Sequence, residues 1–383
     1  MNRVYLSHNS IVSALGFNSP EVVRKIAQEI SGISLQNDKE LFPEPFYASV
    51  VSSEKLEEEF LKLNPKKAYT RLEKMMLLAL QPVIETSNVQ MDEKVGLIIS
   101  TTKGNIDVLE NKSPFSKERA YLSALGKEIQ DFFGFKTEPI LLSNACVSGV
   151  LAIAVAKRLI QQGIFSDVFI VAGDIVTQFT LSGFSSFQAM SSQPCKPYSK
   201  DRDGITLGEL SASVLITSNK ENLCKEAICV LGDASCNDAN HISGPSRTGE
   251  GLYRSVSGAL QEACLSTRDI DFISAHGTAT LFNDEMEAVA FNRLSMQDTP
   301  LHSLKGYLGH TLGASGLVET IIGMHSLAQN MLYTSLGLGS MGVSLPLNVI
   351  TKPEYKNIKT FLKTASGFGG CNTAVIFQKA ISC

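Results

Sequence analysis

Ser143-Asn144-Ala145-Cys146-Val147-Ser148-Gly149 joins an extended apolar run, Pro139-Ile140-Leu141-Leu142, to a helix that the apolar spacing predicts over residues 147–162. A strand passing through small residues into an apolar helix is a unit from which layered α/β folds are built. The first N–H groups of such a helix have no partner within it, and the helix dipole adds about half a positive charge there. A thiolate at Cys146 is therefore expected to be stabilised, its pKa brought below the ~8.5 of a free cysteine. The same N–H groups can hold an oxyanion. One turn offers a nucleophile and part of an oxyanion hole. Taken alone, a cysteine is more often a packed small hydrophobe, so the weight falls on its company along the chain.

Composition narrows the field. A chain of 383 residues, 44% apolar and 19% charged, can bury a large core as one big domain or two smaller ones. Its formal charge of −4 argues against nucleic acid as the main partner. Eight cysteines at irregular spacing form neither a CxxC pair nor a zinc pattern, as expected of a reducing cytoplasm. Residues 1–16 lack a long apolar run or a small-residue cleavage site, so neither a signal peptide nor a membrane span is expected.

Short apolar runs alternate with helical patterns. Helices are predicted over residues 22–30, 54–63 and 68–86, and strands over 94–99, 167–172 and 212–216. Residues 180–208, rich in Ser, Phe, Gly and Pro, suggest an ordered loop region, and the polar stretch 218–225 a junction between halves at 1–220 and 221–383. Strands at 228–231, 272–275 and 374–377, with helices at 249–263, 284–294 and 314–329, repeat the theme. A shift of 167 residues places Ser148-Gly149 on Ser315-Gly316 and Gln162 on Gln329, a faint echo that suits a duplicated αβ unit.

Three further clusters follow strands. They are His276-Gly277-Thr278-Ala279-Thr280 with Asn283, Asp284 and Glu287; Lys305-Gly306-Tyr307-Leu308-Gly309-His310 with Gly313 to Gly316 and Glu319; and Gly367-Phe368-Gly369-Gly370 with Asn372. Loops after strand ends are where α/β proteins place their sites. Each cluster alone is ordinary turn chemistry. A cysteine and two histidines at such junctions are more specific.

In combination, Asn144-Ala145-Cys146-x-Ser148-Gly149, Arg202-Asp203-Gly204-x-x-x-Gly208-Glu209, His276-Gly277-Thr278-x-Thr280, Lys305-x-x-x-Gly309-His310 and Gly367-Phe368-Gly369-Gly370 resemble the β-ketoacyl-[acyl-carrier-protein] synthases, close to the KAS I/II branch of the condensing enzymes. The resemblance covers nearly the whole chain. It implies the thiolase-like fold, two duplicated αβαβα halves forming a five-layered α/β core, the first half carrying Cys146 and the second both histidines. The implied activity is a decarboxylating Claisen condensation of an acyl thioester with a malonyl thioester, for fatty-acid or specialised polyene or polyketide-like lipid synthesis. Cys146 would become acylated, with its oxyanion held by the N–H groups of Cys146 and Phe368, while neutral His276 and His310 donate to the malonyl thioester oxygen.

Other roles are carried over singly. Thr278 and Thr280 resemble the pair that binds the phosphopantetheine arm, Lys305 and Glu319 a buried ion pair that orients His310, and Phe368 a gate between acyl and malonyl sites. The basic residues Lys66, Lys67, Arg71, Lys74 and Arg202 are candidates for docking an acidic acyl carrier protein. The chemistry implies neither metal nor redox cofactor, since its substrates ride on carrier-protein phosphopantetheine. The family implies a homodimer, or a heterodimer with a related subunit. Departures lie at Leu210-Ser211, Ser366 and Cys371, and in a shortened stretch over 104–146. One alternative is a non-catalytic or half-active chain-length-factor subunit, against which the retained Cys146 weighs. Another is a thiolase using a second cysteine, with Cys371 as its candidate.

Overall fold

Along Asp167–Asp174, Val168, Ile170 and Ala172 enter one core while Phe169 and Val171 enter another. Along Cys371–Lys379, Val375 and Phe377 join that first core while Ala374 and Ile376 enter a third. Successive strand residues point to opposite faces, so strands apolar on both faces must be covered on both. In the computed structural model, which describes residues 3–110, 113–238 and 240–380, this alternation yields helices outside, sheet, helices in the middle, sheet, and helices outside.

Two groups of five strands share one topology. In the first, Val95–Ser100 is parallel to both Ile140–Leu142 and Asp167–Asp174, and Leu210–Thr217 is antiparallel to Asp167–Asp174 and Tyr5–Ser13. In the second, Phe272–Ser274 is parallel to Leu301–His302 and Thr360–Gly367, and Cys371–Lys379 is antiparallel to Thr360–Gly367 and Ile228–Asn237. The groups join at their antiparallel ends, where Tyr5 pairs with Cys229 and Leu6 with Ile228, giving a continuous ten-stranded sheet. The thiolase-like layering expected from the sequence is present.

Helices Ser148–Gln161 and Ser315–Gln329 form the middle layer, each touching strands of both groups. Ser315 to Leu327 are all buried, as befits a helix enclosed on every side rather than an amphipathic surface helix. Arg71–Ser87 covers one outer face, with a capping box between Thr70 and Glu73. Glu250–Ala263 and Leu281–Arg293 cover the other.

Several expectations need correction. A helix, Gln178–Ser186, runs into the stretch 180–208 expected to be loop, started by a reciprocal cap between Thr177 and Thr180. Its low apolar contrast hides it. Strands Tyr5–Ser13 and Thr360–Gly367 and helix Leu122–Phe133 were not anticipated. In the first two, polar residues interrupt the apolar run at Ser7-His8-Asn9 and at Lys363-Thr364.

The two middle helices cross at glycines. A Cβ on Gly149 would lie 2.7 Å from the Leu317 nitrogen and 2.9 Å from the Gly313 oxygen, and one on Gly316 would lie 2.7 Å from the Val150 nitrogen. Backbone cannot yield as a side-chain tip can. Gly149→Ala or Gly316→Ala should therefore destabilise the fold by about 1–3 kcal/mol, the usual range for overpacking. Chemical denaturation measures this, and an unmoved midpoint would show that helix spacing does not depend on these glycines.

Candidate active site

Each of the three chemical side chains sits beside a residue of left-handed backbone. Ala145 precedes Cys146 at φ 44°, Gly277 follows His276 at φ 41°, and Gly309 precedes His310 at φ 69°. Such turns swing a side chain out of its strand direction; an alanine held there is strained and persists because its surroundings fix it. Around Ala145 the restraint is visible. The Asn144 N–H donates to Ser148 Oγ at 2.8 Å, and that hydroxyl donates to the Ala145 oxygen at 2.6 Å.

The turns converge on one cavity of about 450 Å³, lined by Cys146, His276, His310, Thr278, Thr280 and Phe368 among others. Cys146 Sγ lies 3.1 Å from His310 Nε2, and the two imidazole centroids are 5.4 Å apart, nearly perpendicular. His310 Nδ1 lies 3.3 Å from the Leu312 backbone nitrogen and 3.1 Å from Ser315 Oγ. A backbone N–H can only donate, so Nδ1 accepts and the ring proton sits on Nε2, facing the sulfur. Burial first, and then the Lys305 ammonium, holds both histidines well below the usual imidazole value. They are neutral N–H donors.

His276 is held differently. Among the described residues its Nδ1 has no hydrogen-bond partner. Its backbone is gripped instead: Glu287 accepts from the His276 N–H at 2.8 Å and the Gly277 N–H at 2.7 Å, and Lys305 Nζ donates to the His276 oxygen at 2.5 Å. Lys305 also pairs with Glu319 at 2.8 Å, but the pair expected to orient His310 reaches the His276 backbone instead. Lys363, not anticipated, pairs with the other Glu319 oxygen at 2.6 Å. In the sequence it stands among Thr360, Thr364 and Ser366 and gives no sign of burial. Burial works against ionising Glu319, yet the two ammonium groups keep its carboxyl below the ordinary range.

Thr278 and Thr280 place their hydroxyls 2.9 Å apart on the cavity wall. Phe368 packs against Phe184 and Phe187 with centroid distances of 5.7 and 5.6 Å. A Cβ on Gly367 would lie 3.0 Å from the Cys146 nitrogen, so the glycine turn closes directly over the nucleophile's amide. Asp174 accepts from the Gly313 N–H at 2.7 Å and from Thr101 Oγ1 at 2.9 Å, tying the turn after His310 to the first strand group. Cys371 lies behind the glycine turn, its Sγ 3.4 Å from the Phe368 oxygen, and burial pushes its thiol up to about 11. Unlike Cys146, it is not among the residues lining the cavity, which does not suit a second catalytic thiol. The Cys146, His276 and His310 donor atoms lie within 4.8 Å of one another, so the trio could grip a soft divalent ion, which would occupy the sulfur lone pair.

Two expectations fail. The Cys146 thiol is not lowered: burial, with smaller contributions from Cys371 and Asp174, pushes it up to about 12. Loss of water around the sulfur is the largest cause. The basic residues also do not form one free patch. Arg71 turns inward to the buried Glu209 carboxylate, and Arg202 is buried with its guanidinium on the Ser199 oxygen. Lys74 pairs with Glu57 and Lys67 with Glu128, leaving Lys66 and Lys67 as the exposed members.

Residues 10–222 match the N-terminal domain of the β-ketoacyl synthases, and residues 227–338 match their C-terminal domain. A 3-oxoacyl-[acyl-carrier-protein] synthase 2 of Rhizobium meliloti is 34% identical over 252 residues, 62% of this chain and 59% of that relative, so this match spans about three fifths of the relative's length. A mitochondrial 3-oxoacyl-[acyl-carrier-protein] synthase of Schizosaccharomyces pombe, itself assigned provisionally, is 26% identical over 99% of both chains. Among solved structures, a ketosynthase in complex with its chain length factor from Xenorhabdus doucetiae superposes with a TM-score of 0.86 at 25% identity, over 99% of this chain and 98% of that one. A protein with this layered fold and a Cys-His-His cavity is a condensing enzyme of the thiolase-like class. Within that class, the chain belongs to the β-ketoacyl synthase family.

Because burial keeps the sulfur protonated, alkylation of Cys146 by iodoacetamide should be slow near pH 7 and keep rising beyond about pH 9 without a plateau. Peptide-level mass spectrometry of the alkylated protein reads this. A plateau below about pH 8 would reveal a thiolate stabilised in the resting state.

Proposed function

We propose that this protein condenses an acyl thioester with malonyl-acyl carrier protein, releasing CO2 and giving a 3-oxoacyl-acyl carrier protein two carbons longer. The observation that carries this proposal is the meeting of one thiol and two neutral imidazole N–H donors in a single cavity, with Sγ and Nε2 3.1 Å apart.

In the first half-reaction the Cys146 sulfur attacks the acyl carbonyl. The His310 Nε2–H hydrogen bond favours the anionic sulfur as it forms. The tetrahedral oxyanion is held by the amides of Cys146 and Phe368. Collapse breaks the bond to the pantetheine sulfur, which leaves with the proton the thiol has lost. In the second half-reaction a malonyl thioester enters beside Thr278 and Thr280. Its carbon–carboxylate bond breaks, CO2 departs, and the electron pair moves onto the thioester oxygen, where His276 and His310 each donate an N–H. Neutral donors suit this step, because an imidazolium would transfer its proton and quench the carbanion as an enol. The carbon then attacks the acyl carbonyl, the new C–C bond forms, and Cys146 leaves as thiolate.

The proposal extends to partners. Of the five basic candidates, Lys66 is exposed without an ion pair among the described residues and Lys67 is exposed though paired with Glu128, and steering of an acidic carrier protein by them would weaken with salt. The synthase would work in the cytoplasm, which keeps the required thiol reduced. It would act as a homodimer or beside a related subunit, as the Xenorhabdus doucetiae ketosynthase sits with its chain length factor. Retention of Cys146, His276 and His310 in one cavity favours a catalytic role over that of a chain-length factor. Among the described residues no helix is long and apolar enough to cross a membrane.

Incubation with octanoyl- and then malonyl-acyl carrier protein should place an acyl mass on Cys146 and yield a 3-oxoacyl product. His276→Ala and His310→Ala should each slow CO2 release by about 10²-fold, the usual loss for one oxyanion donor. Intact decarboxylation in both variants would remove the imidazoles from the mechanism.

A further inference from the structure

Lys363 has no place in the chemistry above, yet it is fully buried. It stands on the inner face of Thr360–Gly367, in alternation with Phe361 and Ala365. Its ammonium pairs with Glu319 at 2.6 Å and donates to the Ser274 oxygen at 3.0 Å and the Ala275 oxygen at 3.2 Å. Those are the residues immediately before His276, whose own carbonyl is taken by Lys305 at 2.5 Å. Two ammonium groups, joined through one carboxylate, thus hold three successive carbonyls leading to the imidazole.

Stability alone does not account for this lysine. Lys305 and Glu319 already form a complete buried pair at 2.8 Å. A second buried cation adds a desolvation penalty that a hydrophobic residue of similar volume would avoid. Burial, only partly offset by Glu319, lowers the Lys363 ammonium below the ordinary lysine range. What the residue does provide is restraint where restraint is otherwise missing. His310 is anchored through its own Nδ1, by Leu312 and Ser315. The His276 Nδ1 has no such anchor among the described residues, so the aim of its ring depends on the backbone beneath it.

We propose that Lys363 is a positioning residue for His276: with Lys305 and Glu319 it clamps the carbonyls of residues 274–276 and so fixes the imidazole that receives enolate charge in decarboxylation. The role concerns the malonyl half-reaction and leaves transfer of the acyl group to Cys146 untouched. It rests on the condensation chemistry proposed above.

The test compares the wild type, Lys363→Met, His276→Ala and the double variant in two assays. One follows CO2 release from malonyl-acyl carrier protein labelled in its carboxylate; the other follows acylation of Cys146 by octanoyl-acyl carrier protein. Rates are normalised to the fraction of Cys146 that iodoacetamide titrates, which discounts misfolded protein. Lys363→Met leaves the neutral Lys305–Glu319 pair behind rather than an orphan charge, and Lys363→Gln serves as a second uncharged variant if yield is poor. The expected result is a loss of about tenfold or more in CO2 release, as for small misplacements of catalytic groups, with acylation changed less than about twofold. In the His276→Ala background the same substitution should cost little more, since the two residues act as a unit. Equal losses in both half-reactions, no loss in either, or a full additional loss on His276→Ala would each overturn the positioning role. A wild type that acylates but releases no CO2 would instead overturn the condensation chemistry, and this proposal with it.

Discussion

The active site exists because two buried helices approach closely at their N-terminal ends. Gly149 lies against the Gly313 oxygen and the Leu317 nitrogen, and Gly316 against Val150, so the turns before these helices are forced together. One turn carries Cys146 and the other His310. The contact of Sγ and Nε2 at 3.1 Å is therefore a consequence of helix packing at residues without side chains. The duplicated topology supplies the two helices as equivalent elements of the two strand groups. The turns before them differ in chemistry, a thiol in one and an imidazole in the other. Asp174 adds a polar tie across the same seam by accepting the Gly313 N–H, which keeps the His310 turn in register with the first strand group.

Burial at that seam then decides the protonation states. A sulfur at a helix end in water would be drawn toward thiolate. Here water is excluded, and the thiol is pushed up to about 12. The same exclusion keeps His276 and His310 neutral, an effect the Lys305 ammonium reinforces. These states are complementary. A reactive sulfur is exposed to loss by oxidation, whereas a protonated one waits for a thioester whose oxyanion and leaving group can take up the charge. Neutral imidazoles are donors that do not surrender a proton to a carbanion. One physical cause, desolvation, sets up both halves of the chemistry.

The sequence carried the nucleophile and both histidines because each stands beside a glycine or alanine in a turn, and the three turns together are specific where each alone is not. It carried Lys305 and Glu319 only through family resemblance. It did not reveal Lys363, since a lysine inside a strand reads as an edge or surface residue until the strand is known to face Glu319 on a middle-layer helix. Arg71 and Arg202 misled in the opposite sense: their charges suggested surface, but Glu209 and the Ser199 carbonyl draw them inward. The thiol's protonation was misjudged for a related reason. Helix-end electrostatics is a local property that sequence shows, while desolvation depends on which distant segments arrive to cover the sulfur. The strand Tyr5–Ser13 was missed because its pattern is read only after its partners Leu210–Thr217 and Ile228–Asn237 are known.

Two anchoring schemes also divide the histidines by role. His310 is fixed through its own ring, which sets its tautomer and aims a proton at the sulfur. It can serve both half-reactions without moving. His276 is fixed through its backbone, with Glu287 holding the N–H groups on one side and the lysine–carboxylate–lysine cluster holding carbonyls on the other. A ring without an anchor of its own among the described residues takes its aim from the backbone beneath it, which both sets of contacts hold. After burial itself, the Lys305 and Lys363 ammonium groups also disfavour protonation of that ring. The division of labour between the imidazoles thus follows from which atoms of each are tied down.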